Sequence, residues 1–85
     1  MAGYKVLLTR NAEKQLDKID ASQLGPIVIA LKQLETDPRP NGYKKLKGRN
    51  GYRVRAGNYR IIYEIFDAVL IIEVIAIGHR KDIYR

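Results

Sequence analysis

Residues 51–65 read GYRVRAGNYRIIYEI, and the way this stretch folds decides the rest of the chain. Tyr52 and Val54 alternate with Arg53 and Arg55; Tyr59, Ile61, Tyr63 and Ile65 alternate with Arg60, Ile62 and Glu64. Period-2 alternation on both sides of Gly57-Asn58, a two-residue turn signal, predicts a β-hairpin. Counting outward from that turn pairs Ala56 with Tyr59, Arg55 with Arg60, Val54 with Ile61, Arg53 with Ile62 and Tyr52 with Tyr63. Tyr52, Val54, Ile61, Tyr63 and Ile65 then share an apolar face, and Arg53, Arg55 and Arg60 gather on the other.

Working outward, Asp67-Ala68 is the next turn signal, and VLIIEVIAIG after it is a strand almost continuous in apolar residues, the pattern of a central strand. A turn at Asp67-Ala68 would place Arg60 opposite Ile75 and Glu64 opposite Ile71. Upstream, YKVLLTR at residues 4–10 predicts a first strand, paired with the final one or set at an edge. Thr9 or Asn11 then caps a short helix whose apolar positions are Ala12, Leu16 and Ile19. SQLGPIVIALKQLETDP predicts a second helix, begun at Ser22 or at Gly25-Pro26 and ended near Glu35 by the prolines of TDPRPNG. Its stripe is Leu24, Ile27, Val28, Leu31 and Leu34. The order strand-helix-helix-strand-strand-strand predicts one α+β domain over residues 1–85, with both helices on one face of a small, mostly antiparallel sheet.

An 85-residue chain is a single domain by length, and its composition is that of a folded protein. It has no cysteine, which removes disulfides and thiolate metal sites, and its one histidine, His79, cannot build a histidine metal cluster. No cofactor and no metal are expected. No stretch approaches the length of a membrane helix and the apolar N-terminal run is too short for a signal peptide, so a cytoplasmic location is expected.

Sixteen Lys and Arg against nine Asp and Glu give a net charge of +7, which favours a polyanionic partner: nucleic acid, an anionic membrane or an acidic protein. Placement narrows the choice. Residues 39–60 hold eight of the cations and no acid. Like charges opposed across a strand pair cost about 0.2–1 kcal/mol, so a purely structural hairpin would rarely set Arg55 against Arg60. A phosphate would relieve that repulsion, because guanidinium groups present planar donor forks matched to its oxygens. Glu64 or Glu73 neutralising one arginine is the plainer alternative. Lys44, Lys45, Lys47 and Arg49 are candidate contacts to RNA phosphates, or else members of a solvated loop. Tyr43, Tyr52, Tyr59 and Tyr63 are candidates to stack on bases, although the alternation places Tyr52 and Tyr63 on the apolar face, which favours the core for those two.

KLKGRNGYRVRAGNYRIIYEI together with VIAIGHRKDIYR, behind two helices, resembles the RelE/ParE superfamily of bacterial and archaeal toxins of toxin–antitoxin systems. The resemblance implies a microbial-ribonuclease-like fold. In the RelE branch it implies ribosome-dependent, metal-independent cleavage of mRNA in the A site, the 2′-hydroxyl attacking the adjacent phosphate, with translation inhibited as the result. The ParE branch, the alternative, inhibits DNA gyrase without cutting RNA. Carried residue by residue, the RelE reading makes Arg53, Arg55 and Arg60 the cationic sheet residues, with Arg60 on the scissile phosphate. Arg80 protonates the leaving oxygen, and Tyr84 acts on the 2′-hydroxyl or stacks on a base. Arginines at 53 and 55 stand where relatives often have lysine; they hardly give up a proton, which restricts them to electrostatic work. His79 is a possible acid or base, or a turn residue at the strand end. The implied partners are the ribosome, mRNA and a cognate antitoxin with an acidic or flexible toxin-binding segment that supplies the operator binding itself.

Overall fold

The computed structural model describes residues 3–79. Strand β1 is Lys5–Leu8, helix α1 Arg10–Asp17, helix α2 Ala21–Thr36, β2 Lys44–Lys45, β3 Tyr52–Ala56, β4 Tyr59–Phe66 and β5 Ile71–His79, with a 3₁₀ turn at Asp67–Val69. The sheet order is β1-β5-β4-β3-β2, with β1 parallel to β5 and the remaining pairs antiparallel. The α+β reading holds, and the order of elements is as expected apart from β2. The first strand both pairs with the last and forms an edge. The middle of the five is β4, while β5 lies between β4 and β1.

The hairpin register is the one counted from the turn: Ala56 opposite Tyr59, Arg55 opposite Arg60, Tyr52 opposite Tyr63. Gly57 has φ 64°, the positive-φ first turn position that matches the right-handed twist of the strands. A β-carbon there would touch Pro26 at 3.5 Å, an ordinary contact. Backbone strain alone therefore governs Gly57→Ala, which is expected to cost about 1–2 kcal/mol and lower the melting temperature by roughly 4–8 °C per kcal/mol, as thermal denaturation would show.

The helices cover one face of the sheet. Thr9 caps α1 by accepting from the Ala12 amide. Helix α2 begins earlier than either expected start, at Ala21 behind Asp20, and carries Pro26 inside its second turn. It buries Ile27, Ala30 and Leu34; Val28, expected on the stripe, is exposed, because a 3.6-residue period that keeps Ile27 and Leu34 inward points Ala30 inward and Val28 out. Leu34, Ile61, Tyr63, Ile72 and Val74 are fully buried between the helices and the sheet. Gly3 lies so close to α2 that a β-carbon would meet the Glu35 carbonyl oxygen at 2.9 Å, and the Tyr4 amide donates to that same oxygen.

The expected pairing of β4 with β5 is overturned. Arg60 faces Gly78, not Ile75, and Glu64 faces Glu73, not Ile71. Two features cause this. The connection is a 3₁₀ turn followed by Leu70 in the left-handed region, longer than a two-residue turn, which moves the pairing by two residues at Glu64. The register then shifts by one more between Ile62 and Tyr63, where Ile62 faces Ala76 but Tyr63 faces Val74. Ile75 is the extra residue, a β-bulge.

Groups that the bulge takes out of the ladder are met by α1 and its N-cap Thr9. The Ile75 carbonyl accepts from Thr9 Oγ1 at 3.1 Å and Asn11 Nδ2 at 3.2 Å, and the Ile77 amide donates to Gln15 Oε1 at 2.7 Å. Beyond the bulge Ile77 turns into the core, 1% exposed, and burying such a side chain contributes about 1.5–3 kcal/mol.

Candidate functional site

The sheet face turned away from the helices carries the charged residues in rows that the register fixes. Arg55, Arg60 and Gly78 form one row; Lys44, Arg53, Ile62 and Ala76 form the next; Glu64, Glu73 and Leu7 follow. Arg53, Arg55 and Arg60 are thus brought together on one face. Arg60, in the central strand, is 7% exposed, whereas Arg55 at its side is open to solvent. Arg53 and Arg60 each engage a neighbouring group. Withdrawal from water strengthens every charge interaction that Arg60 makes, since the local dielectric is far below that of bulk water.

Lys44 is added to this set by β2, a strand too short to leave a periodicity in the sequence. Lys44 pairs with Arg53, and with Gly42, Arg53, Val54 and Arg55 it lines a cleft of about 240 Å³. The basic loop accordingly divides. Lys44 joins the arginine face, while Lys45 goes with Tyr52 to the other side, its ammonium 5.5 Å from the ring centroid. Lys47 and Arg49 are exposed in the turn between β2 and β3.

The acids do not answer the arginines by position. Glu64 and Glu73 oppose each other across β4 and β5, with the Lys44–Ala76 row between them and the row of Arg55 and Arg60. The open face is therefore polarised, basic toward the Gly57 hairpin and acidic toward the 3₁₀ turn.

His79 lies opposite Tyr59, its ring 5.6 Å from the tyrosine ring in an edge-on contact. Tyr59 packs against the core on the helix side. The bulge therefore sends His79 to the side away from the arginines, and the geometry gives no support to an acid or base role for it beside Arg60. Arg80 and Tyr84 lie outside the described residues. Tyr63 is fully buried and donates to the Pro38 carbonyl, and burial pushes its phenol well above the ordinary tyrosine value. Tyr43, Tyr52 and Tyr63 form a ladder with centroids 5.9 Å apart, which takes Tyr52 and Tyr63 out of base stacking and leaves Tyr43 exposed.

Arg39, part of the basic block by sequence, is spent internally. Its guanidinium pairs with Asp67 at 3.0 Å and lies 5.7 Å from the Tyr52 ring, and Tyr4 donates to the same carboxylate. These contacts tie the 37–43 loop, which leads into Lys44, to the turn after β4. The hydrogen bonds from Arg39 and then Tyr4 hold the Asp67 carboxyl below its ordinary value of 3.8. A carboxylate with a lowered folded-state pKa adds stability above its unfolded value and loses it as pH falls through the folded one. The wild-type melting temperature should exceed that of Asp67→Asn at neutral pH, and the gap should close as pH is taken below 3.8. High salt should narrow it too, because both groups are partly exposed.

No helix among the described residues is long and apolar enough to cross a membrane, and no group of three or more His, Cys, Asp or Glu among them could hold a metal.

Residues 6–84 match the family described as the ParE toxin of type II toxin–antitoxin systems. The chain is 31% identical to the toxin RelG of Mycobacterium tuberculosis over 84 residues, covering 96% of this chain and 97% of that one. It is 32% identical to a putative RelE-like toxin protein of Escherichia coli over 88 residues, covering 96% and 90%. Among solved structures, the toxin–antitoxin complex RelBE2 of M. tuberculosis superposes with a TM-score of 0.81 at 26% identity, covering 92% of this chain and 99% of that one. The archaeal RelE–RelB complex of Pyrococcus horikoshii does so with 0.81 at 25%, covering 96% and 99%. With a family match across nearly its whole length and the RelE sheet carrying its arginines on one face, the chain belongs to the ParE toxin family of type II toxin–antitoxin systems, within the RelE/ParE superfamily.

Proposed function

We propose that this toxin is a ribosome-dependent endoribonuclease that cuts mRNA in the A site without a metal ion and so halts translation. The observation that carries this reading is the opposition of Arg55 and Arg60 on the open face, with Arg53 and Lys44 one row away. Four cations on one face suit a phosphodiester whose negative charge grows as the 2′-oxygen attacks phosphorus and the 5′-oxygen leaves. Donors already aimed at that charge lower the barrier without reorganising. Arg60 holds the non-bridging oxygens, and Arg53, Arg55 and Lys44 hold flanking phosphates. By resemblance Tyr84 takes the proton leaving the 2′-hydroxyl, and Arg80 stands at the 5′-oxygen, its guanidinium stabilising the charge that develops there as water protonates that oxygen. Arginine keeps its own proton in proteins, so Arg53 and Arg55 act by charge alone.

The structural neighbours include toxins bound to RelB antitoxins. For this chain we assign a cognate antitoxin whose acidic segment lies against the basic half of the open face.

The test is primer extension on a translated message. Induced expression should arrest growth, and in a reconstituted translation reaction the purified protein should produce cuts that vanish when ribosomes are omitted. The name of the matching family favours a second reading, inhibition of DNA gyrase. Purified protein that blocks supercoiling while leaving translated mRNA intact would establish it and remove the nuclease reading.

A further inference from the structure

The bulge at Ile75 determines what stands beside Arg60. Had the ladder run on without interruption from the Tyr63–Val74 pair, simple counting would place Ile77 opposite Arg60 and Gly78 opposite Tyr59. Ile77 would then carry its side chain onto the open face against the guanidinium, and His79 would follow it there. The observed register reverses this. Ile77 is buried in the core, His79 packs on Tyr59, and the one position of β5 with no side chain at all faces Arg60.

The device that holds this register lies on the opposite side of the sheet, in α1 and its N-cap. Thr9 Oγ1 and Asn11 Nδ2 both donate to the Ile75 carbonyl, and Gln15 Oε1 accepts from the Ile77 amide at 2.7 Å. Thr9 Oγ1 accepts from the Ala12 amide at the same time, so the bulge and the start of the helix are fixed by a single hydroxyl. A bulge leaves its own ladder groups unpaired, and a buried backbone group without a partner is costly, so these side chains favour the bulged register over the regular one. The residues Ile77 and Gly78 are the ones whose exchange would fill or clear the flank of Arg60.

We infer that Gln15, with Thr9 and Asn11, is a positioning residue for the phosphate site: by clasping the β5 bulge it keeps Gly78, rather than Ile77, opposite Arg60, and so keeps an isoleucine side chain off the cross-strand position next to the guanidinium. This rests on the nuclease reading for its functional consequence and on the register alone for its structural one. Gln15 touches neither Arg60 nor substrate; it acts through the strand.

Two variants test it, each read by cleavage of translated mRNA and by NMR contacts across the Arg60/Gly78 and Tyr59/His79 pairs. Gln15→Leu removes the acceptor; it should weaken those contacts and lower cleavage by about 100-fold, the scale of a 1 Å misplacement. Gln15→Glu keeps an acceptor for the Ile77 amide and should restore both. Gly78→Val leaves the clasp intact and puts a side chain on the flank itself. It should keep the Tyr59/His79 contact while losing about 100-fold in cleavage and the shift of the Arg60 guanidinium resonance on titration with inorganic phosphate. Wild-type contacts and cleavage in Gln15→Leu would overturn the inference, as would wild-type cleavage and an unchanged phosphate response in Gly78→Val. Should Gln15→Leu fail to fold, Gly78→Val decides alone. If the wild-type protein cuts nothing, the nuclease reading falls, and the cross-strand contacts with the phosphate titration still decide for or against the clasp.

Discussion

Arg60→Gln is expected to lower ribosome-dependent cleavage by roughly 10²–10³-fold, the range found when one preorganised donor to a transition-state charge is removed. Arg60 lies in the central strand, 7% exposed, directly opposite Arg55 on one side and Gly78 on the other. Glutamine keeps much of the length and one end of the hydrogen bonding but no charge. Arg55→Gln, at an exposed position, should cost far less, because solvent screens its contribution. Cuts mapped by primer extension over a time course would separate the two. Equal losses in both variants would mean that the site acts only as a diffuse basic patch, and no loss in either would remove phosphate binding from these residues. Circular dichroism on both proteins checks that helix and sheet are retained.

Leu34→Ala should produce the largest loss of stability. Leu34 is fully buried where α2 crosses the sheet, and truncating such a side chain costs about 2–5 kcal/mol through lost transfer energy and the cavity left behind. Small domains have only about 5–15 kcal/mol in total. At roughly 4–8 °C per kcal/mol for a domain of this size, the melting temperature should fall by at least 8 °C. Residual cleavage below the new midpoint should match wild type, because Leu34 is on the side of the sheet away from the arginines. Thermal denaturation paired with the cleavage assay tests both halves of this expectation.

The two variants separate the layers of the molecule. One face of the sheet is spent on the core that holds the strands in place, and the other displays charge that works against folding. The Arg55–Arg60 opposition costs something like 0.2–1 kcal/mol unless an anion relieves it. Sites that serve binding commonly carry such local conflict, and the core beneath must be sound enough to bear it.

The hairpin was legible because strict alternation on both sides of a glycine turn permits one register: a slip of one residue would exchange the tyrosines of the core with the arginines of the open face. That alone placed three cations side by side. The pairing of β5 could not be read in the same way, since VLIIEVIAIG is apolar on both faces and lacks the alternation that penalises a slip. Its register depends on side chains that are 60 or more residues away in sequence, Gln15 on the Ile77 amide, Thr9 and Asn11 on the Ile75 carbonyl. The placement of Lys44 with Arg53, the internal use of Arg39 on Asp67 and the turning of His79 toward Tyr59 likewise arise from contacts between distant segments. Local pattern thus determined the elements, the hairpin and the clustering of the arginines, because those follow from the backbone's own periods; the neighbours of each arginine were decided only when the helices met the sheet, because such contacts require the folded chain.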